Sequence, residues 1–294
     1  MAQAHTANPG KYYIPHNSPW PILGSVSLFT TMLGAFGFLN GWYGAWAFIP
    51  GAALLAYLFF RWFGTVIDEN QHGIFNLQVD RSFRMGMMWF IFSEVMFFGA
   101  FFGALFYART LAVPWLGGQG VKIFTNLMLW PHYEGNWPTN GPAHVGGVKG
   151  AFHVIPAFSL PAINTLILLT SGVTVTIAHH ALRTGKRGVL ALFLALTFLL
   201  GFSFVGLQAH EYGEAYREMG LRLSTGIYGS TFFMLTGFHG LHVTIGAIML
   251  LCIWVRVLRG HFTPQRHFAF EAVAWYWHFV DVVWLGLFVF VYWL

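Results

Sequence analysis

Glu94 has the clearest chemical implication in this sequence. It lies in a run of 24 residues, 85–108, which separates Arg84 from Arg109 and contains no other charged residue. At 1.5 Å per residue, Glu94 lies roughly 15 Å from Arg84, close to the middle of a hydrocarbon layer about 30 Å thick. A charge at that depth costs on the order of 3 kcal/mol. We therefore expect either a neutral acid hydrogen-bonded to a neighbouring helix or a polar anchor for a lipid, a proton or a partner subunit.

Histidines in the last two apolar segments have the spacing that haem or metal ligation would need. His239 and His242 are three residues apart and share one face of a predicted helix, and His278 and Asp281 repeat that spacing. His242 and His278 lie at comparable depths of roughly 20 Å from the basic ends of their helices, which allows a bis-histidine haem. Histidines flanked by glycine and aromatic residues are more often core residues, and Asp281 could hold His278 through one hydrogen bond. We therefore predict a polar core of these four residues and no metal site.

The composition predicts a polytopic membrane protein. Of the 294 residues, 56% are hydrophobic, 19% aromatic and 9% charged, whereas a soluble domain has about 25% charged residues. The one cysteine, Cys252, lies in an apolar run and supports neither a disulfide framework nor a cysteine metal site. The formal charge of +5 is scattered in small groups between apolar segments, as topology signals are, so we exclude nucleic-acid binding.

Seven apolar segments are each long enough to cross a bilayer. They cover residues 21–39, 45–63, 85–108, 155–178, 188–209, 226–255 and 270–294. The short connection between the first two predicts an antiparallel hairpin. The expectation is an all-α fold in one membrane domain, 1–294, with helices 1–2 over 21–63, helices 3–7 over 85–294, and a long external loop of irregular chain at 110–154.

The distribution of Lys and Arg predicts the orientation, because positive charge is retained on the cytoplasmic side. Ten of the 15 basic residues lie on the side of the N-terminus and five on the opposite side. We therefore place the N-terminus in the cytoplasm and, after seven spans, the C-terminus outside.

Aromatic rings and cations also meet at predicted helix ends, where phosphate headgroups lie. Trp62 follows an arginine, and Arg256 lies near the end of the sixth span. A hairpin splayed from a five-helix bundle would leave a cleft that lipid could enter beside Glu94. We assign His179 and His180, at the end of the fourth span, to the headgroup region.

Two long runs resemble subunit III of the haem-copper cytochrome c oxidases. They are HFAFEAVAWYWHFVDVVW at 267–284 and IYGSTFFMLTGFHGLHV at 227–243. Shorter matches precede them in the order of the family: SPWP (18–21), FSEVMFF (92–98), NTLILLTSG (164–172), AHHAL (178–182) and QAHEY (208–212). Together they cover essentially the whole chain.

The resemblance implies a seven-helix subunit in which a V-shaped cleft, filled with phospholipid, separates helices 1–2 from helices 3–7. In that family, subunit III binds no haem or copper and buttresses subunit I, the haem-copper catalytic subunit, beside the copper-bearing subunit II. It protects the catalytic centre from inactivation, assists proton uptake and is credited with passing oxygen along the cleft. Glu94 matches the family's intramembrane glutamate, and Trp62, Glu69 and Arg256 match positions that contact lipid headgroups.

Three features depart from the family pattern. A His-Thr-Pro sequence commonly precedes the third helix and contributes a histidine to lipid binding, but residues 75–77 read Phe-Asn-Leu and His72 lies three positions earlier. The N-terminal histidines credited as a proton antenna are unmatched, with tyrosines at 12–13 and His16 displaced. The connection at 110–154 is longer than in mitochondrial members, which is typical of a bacterial branch.

The sequence therefore predicts a non-catalytic, phospholipid-binding subunit III of a proton-pumping oxidase that receives electrons from cytochrome c, in a bacterial cytoplasmic membrane. We expect no cofactor in this chain, since haem and copper belong to the partner subunits. One alternative is subunit III of a quinol oxidase of the same superfamily, although common versions of it resemble only the last five helices. The other is an independent membrane cytochrome that holds haem through His239, His242 and His278.

Overall fold

A computed structural model describes residues 13–14, 17–146 and 152–294 of the chain. Lys11, Tyr12, His16 and Lys149, which entered the predictions of orientation and of a proton antenna, lie outside these residues. All regular structure in the described part of the chain is helical.

Nine α-helices are found among the described residues. They are α1 (Trp20–Leu39), α2 (Ile49–Gln71), α3 (Leu77–Tyr107), α4 (Val113–Leu116), α5 (Ile123–Leu129), α6 (Leu160–Arg183), α7 (Arg187–Arg217), α8 (Gly226–Leu258) and α9 (Phe268–Leu287). Short 3₁₀ turns precede α2 and α5, and π turns follow α3 and α9. With these turns included, seven of the helical stretches are long and apolar enough to cross a membrane, which confirms the predicted all-α fold with seven spans.

Helices α2 and α3 extend beyond the apolar segments that predicted them. Residues 64–84 were expected to connect two spans, yet α2 continues to Gln71 and α3 begins at Leu77. Gly73, with a φ of 69°, ends α2 in a left-handed turn, and the Asn76 side chain accepts the Val79 N–H at 3.1 Å as an N-cap of α3. Hydropathy marks the part of a helix that lies in hydrocarbon, whereas capping residues decide where the helix ends.

The start of α6 shows the same distinction. The apolar segment begins at residue 155, but the helix begins at Leu160 with Pro161 in its first turn. Proline is accommodated there because the first helical N–H groups have no partner within the helix.

The outer connection contains two short helices, α4 and α5, in addition to turns. Asn126 in α5 organises this segment, since its side-chain amide donates to the carbonyl oxygens of Leu116, Trp130 and Tyr133 at 2.9, 2.9 and 3.0 Å. One amide group thus joins the end of α4 to the turn that follows α5.

The chain divides into two compact units, residues 1–85 and 86–294. In the first unit, α1 and α2 pack as a hairpin in which two glycines allow close backbone approach. A Cβ atom at Gly34 would collide with the Ala47 backbone, and one at Gly51 would collide with Thr31. The predicted hairpin therefore depends on residues that lack side chains at the contact.

In the second unit, α6 to α9 pack around buried tryptophans of α9. The indole of Trp277 is fully buried and donates to Ser171 Oγ at 2.9 Å. A Cβ atom at Gly201 of α7 or Gly246 of α8 would lie 2.6 or 2.8 Å from this ring. Trp284 likewise donates to Thr165 Oγ1 at 2.9 Å. These hydrogen bonds satisfy the indole N–H groups in a core that offers few other acceptors.

Candidate functional site

A carboxylate–histidine pair joins α3 to α8. His242 Nε2 lies 2.9 Å from Glu94 Oε2, and His242 Nδ1 lies 2.6 Å from the carbonyl oxygen of Phe238. Because a carbonyl oxygen can only accept, Nδ1 carries a hydrogen. The contact to Glu94 is then made either by an imidazolium facing a carboxylate or by a neutral imidazole accepting from a protonated acid. In both forms the intramembrane acid has a partner within the chain.

Aromatic rings enclose this pair. The imidazole of His242 lies 5.0 Å from the Phe98 ring and is stacked on Tyr276 at 6.3 Å, between ring centroids. The side chains of His242 and Glu94 are 12% and 22% exposed to solvent. An apolar surrounding of this kind strengthens a polar contact, because little water competes for it.

His239 points to a different helix from His242. It is 1% exposed, its Nε2 donates to the Val280 carbonyl oxygen at 3.2 Å, and its ring lies between those of Phe204 and Trp284 at 5.6 and 5.2 Å. Its Nδ1 has no hydrogen-bond partner among the described residues. This histidine therefore ties α8 to α9.

His278 and Asp281 form a looser pair on α9. His278 Nδ1 lies 3.6 Å from Asp281 Oδ2, which is longer than a hydrogen bond, and His278 Nε2 lies 3.4 Å from Thr176 Oγ1 of α6. The His278 side chain is 46% exposed, whereas that of Asp281 is 9% exposed and packs on Gly172, where a Cβ atom would lie 2.5 Å from Oδ2. The four residues predicted as a polar core thus have separate partners on α3, α6 and α9.

In the first unit, Glu69 accepts a hydrogen bond from the Tyr13 phenol at 2.8 Å. Burial, followed by the adjacent Glu69 carboxylate, raises the pKa of Tyr13 above its ordinary value. Trp62 is 43% exposed. His72 lies 2.8 Å from the carbonyl oxygen of Asp68, so it ends its own helix.

Arg256 lies in the last turn of α8, with its guanidinium carbon 4.6 Å from the centre of the Phe262 ring. Its Nε and Nη2 atoms are shielded from solvent and have no hydrogen-bond partner in the described part of the chain. Burial, and then the cations of Arg256 and Arg259, lower the pKa of His261. This helix end is therefore strongly electropositive and can accept an anion.

Comparison with known proteins decides the family. A sequence model described as cytochrome c oxidase subunit III matches residues 10–294. The chain belongs to the cytochrome c oxidase subunit III family. Cytochrome c oxidase subunit 3 of Latimeria chalumnae is 41% identical over 293 residues, covering 99% of this chain and 98% of the relative, and that of Squalus acanthias is 40% identical with the same coverage. Subunit 3 of Marchantia polymorpha is 39% identical over 284 residues, 96% of each chain.

As a member of the subunit III family, the chain is part of a multi-subunit oxidoreductase complex in a membrane. The intramembrane glutamate recognised in the sequence is the residue that pairs with His242. Sequence reasoning placed Glu94 and His242 at membrane depth but did not bring them together.

The subunit III chain also contains two polar clusters that the sequence reasoning missed. Glu211, 1% exposed, accepts from Tyr292 Oη at 2.6 Å and from Gln208 Nε2 at 2.9 Å. His267 Nε2 and His179 Nε2 lie 2.9 and 3.7 Å from the same oxygen of Glu271. The QAHEY motif and the four-residue spacing of His267 and Glu271 were the available signals, but each cluster needs a residue from a distant helix. The second cluster has the donor types of a metal site.

Proposed function

We propose that this chain acts in its oxidase as a non-catalytic subunit that binds phospholipid and stabilises the catalytic subunit. The observation that carries the proposal is the 2.9 Å contact between Glu94 and His242. It fixes α3 on α8 through a polar contact at a depth where hydrocarbon offers no alternative partner. The exposed apolar side chains of α3, among them Trp89, Phe92 and Met96, then form a fixed surface for acyl chains.

Arg256 is the residue best suited to hold a lipid phosphate. Guanidinium nitrogens that are shielded from water and unpaired are unfavourable, and Nε and Nη2 of Arg256 have no partner within the described chain. A phosphate at the end of α8 would supply charge-assisted hydrogen bonds. In the other unit, Trp62 and the Glu69–Tyr13 pair have the amphipathic character of headgroup contacts. We assign lipid binding to Trp62, Glu69, Glu94 and Arg256.

We further propose that haem and copper belong to partner subunits I and II and that this chain binds no redox cofactor. Nε2 of His239 is committed to a backbone carbonyl, and both nitrogens of His242 are engaged by Phe238 and Glu94. Iron ligation by these histidines would have to break those contacts. Cytochrome c is the proposed electron donor to the complex, in keeping with the names of the relatives.

Two functional contributions follow within this proposal. The Glu94–His242 pair can exchange a proton, which would support proton uptake, and the apolar aromatic surface of α3 offers oxygen a better solvent than water. The proposed location is a bacterial cytoplasmic membrane with the N-terminus inside and the C-terminus in the periplasm. The distribution of basic residues and the long connection at 110–154 support it.

The test is to purify the tagged chain from native membranes in mild detergent. Its companions are identified by mass spectrometry, and reduced-minus-oxidised spectra are recorded before and after they are removed. The proposal expects large companion subunits that carry the whole haem signal, together with phospholipid that stays on this chain. Haem remaining at one per isolated chain would overturn it.

A further inference from the structure

Three side chains from two helices converge where α6 ends and α9 begins. His179 lies in the last turns of α6, His267 immediately precedes α9, and Glu271 lies in the first turn of α9. One ligand atom from each lies within 4.8 Å of the others. The side chains are 30%, 10% and 15% exposed, so the cluster is sheltered but open to small ions.

The hydrogen bonding of His267 directs a lone pair into this cluster. Its Nδ1 lies 3.2 Å from the carbonyl oxygen of Thr263, which can only accept, so Nδ1 carries a hydrogen. In the neutral imidazole the bare Nε2 then faces Glu271 Oε1 at 2.9 Å. Two acceptors at that separation repel each other unless a proton or a metal cation lies between them, and Nε2 makes no hydrogen bond within the described residues. A backbone carbonyl that fixes the tautomer of a histidine is also the usual outer partner of a metal-bound imidazole.

His179 places a second imidazole nitrogen beside the same carboxylate oxygen. Its Nε2 is buried, lies 3.7 Å from Glu271 Oε1 and makes no hydrogen bond within the described residues. Donor atoms bound to one Zn²⁺ at about 2.0–2.1 Å stand roughly 3.4 Å apart in a tetrahedron. The two nitrogen–oxygen separations of 2.9 and 3.7 Å bracket this value, and all three ligand atoms lie within 4.8 Å of one another, so side-chain adjustments would let them surround an ion.

Glu271 attracts a cation to the cluster, whereas the nearby Arg183 opposes it. The choice of ion therefore rests on the types of the donor atoms. Two imidazoles and one carboxylate suit zinc and neighbouring transition metals, and they are a poor set for Mg²⁺ or Ca²⁺, which prefer oxygen.

We propose that His179, His267 and Glu271 bind one divalent transition-metal ion of the zinc class, with water in the remaining position. The ion joins the last turns of α6 to the first turn of α9. The site shares no residue with the proposed lipid-binding set of Trp62, Glu69, Glu94 and Arg256 or with the histidines of the haem alternative, so it can be tested separately. It gives His179, which the sequence assigned to the headgroup region, a specific role as a ligand.

The test uses the purified oxidase complex and Zn²⁺ alone, as the radioactive ion in equilibrium dialysis. His179→Gln, His267→Gln and Glu271→Gln are compared with the wild type. His180→Gln is the matched control, because His180 is the next residue of α6 and is exposed. We expect each variant of the cluster to lose one zinc ion per complex, with affinity reduced by at least about 100-fold, and the control to bind as the wild type does. Lowering the pH from about 7.5 to about 5.5 should weaken wild-type binding, since protons compete for the imidazoles.

Equal zinc binding by the wild type and all three variants would overturn the proposal. Absence of the ion from the wild type would overturn it as well, and the short contact would then be explained by a protonated His267 beside the Glu271 carboxylate. If the variants do not assemble, X-ray absorption on the zinc-loaded wild-type complex decides. The absorption spectrum of the bound zinc should show the scattering contribution of two imidazole ligands, and absence of that contribution would refute the site. Subunit composition and haem content, measured on the same samples, show whether the oxidase assignment itself has failed.

Discussion

Breaking the contact between Glu94 and His242 is the most informative perturbation of this chain. Glu94→Ala leaves the imidazole without its partner on α3, and His242→Ala leaves a carboxyl group facing phenyl rings. The double variant removes both groups, so a double-mutant cycle isolates the energy of the contact from the two truncations.

The expected coupling energy follows from the burial of the pair. Removing one partner of a fully buried ion pair costs about 3–5 kcal/mol, whereas hydrogen bonds between membrane helices average about 0.6 kcal/mol and reach about 1.7. Exposures of 12% and 22% place this contact near the upper end of the membrane range. We expect a coupling of about 1–2 kcal/mol, which is a factor of about 5–30 in an equilibrium constant.

The assay is titration of the purified oxidase with a denaturing detergent, following the loss of this chain from the complex. The working life of the enzyme during turnover is measured in parallel. Each single variant should be released at lower detergent concentration and should inactivate sooner, with an initial rate close to that of the wild type. Ser93→Ala is the matched control, since its hydroxyl donates to the Phe90 carbonyl oxygen of the same helix. Coupling near zero, or lifetimes and lipid content equal to those of the wild type, would refute the reasoning.

Three further predictions concern packing, lipid and pH. Gly201→Val should lower the stability of the folded chain by about 1–3 kcal/mol and lower the yield of complex, because the new side chain collides with the buried indole of Trp277. Gly206→Ala, which adds a methyl group in open space on the same helix, should have neither effect. Arg256→Gln should reduce bound lipid phosphorus in the purified complex by more than Arg259→Gln does. Because the Tyr13 pKa is raised, its hydrogen bond to Glu69 should be fully present at every pH below the ordinary tyrosine pKa. The bond should be lost as the pH rises through the higher pKa of the folded chain. An ultraviolet titration that compares the wild type with Tyr13→Phe measures this step; ionisation at the ordinary pKa would contradict the contact.

The seven membrane-spanning helices could be predicted from the sequence because the hydropathy of each segment depends only on its own residues. The seven spans needed no knowledge of their neighbours, and even the depth of Glu94 could be estimated by counting residues from Arg84. The ends of the helices were harder to predict from the sequence. The hydrogen bond from Val79 to Asn76 and the left-handed turn at Gly73 decide them, and neither changes the mean hydropathy of a segment.

The pairings could not be derived because they depend on the rotation of each helix about its own axis. His239 and His242 were expected to share a face and a role, but they contact α9 and α3 respectively. The cluster of His179 with Glu271 was missed for the same reason, since spacing along the chain says nothing of which helix ends are neighbours. Spacing did anticipate the local pair of His278 and Asp281, though not that 3.6 Å would separate its atoms.

The seating of Trp277 in α9 has a consequence for biosynthesis. Each spanning helix satisfies its own backbone in the bilayer and can be inserted alone, but the slot between Gly201 and Gly246 can be filled only when α9 has been made. Until then Ser171 also lacks the indole that donates to it. The core between α6, α7 and α8 is therefore completed last, and a chain that ends before α9 keeps an open slot at its centre where the indole belongs.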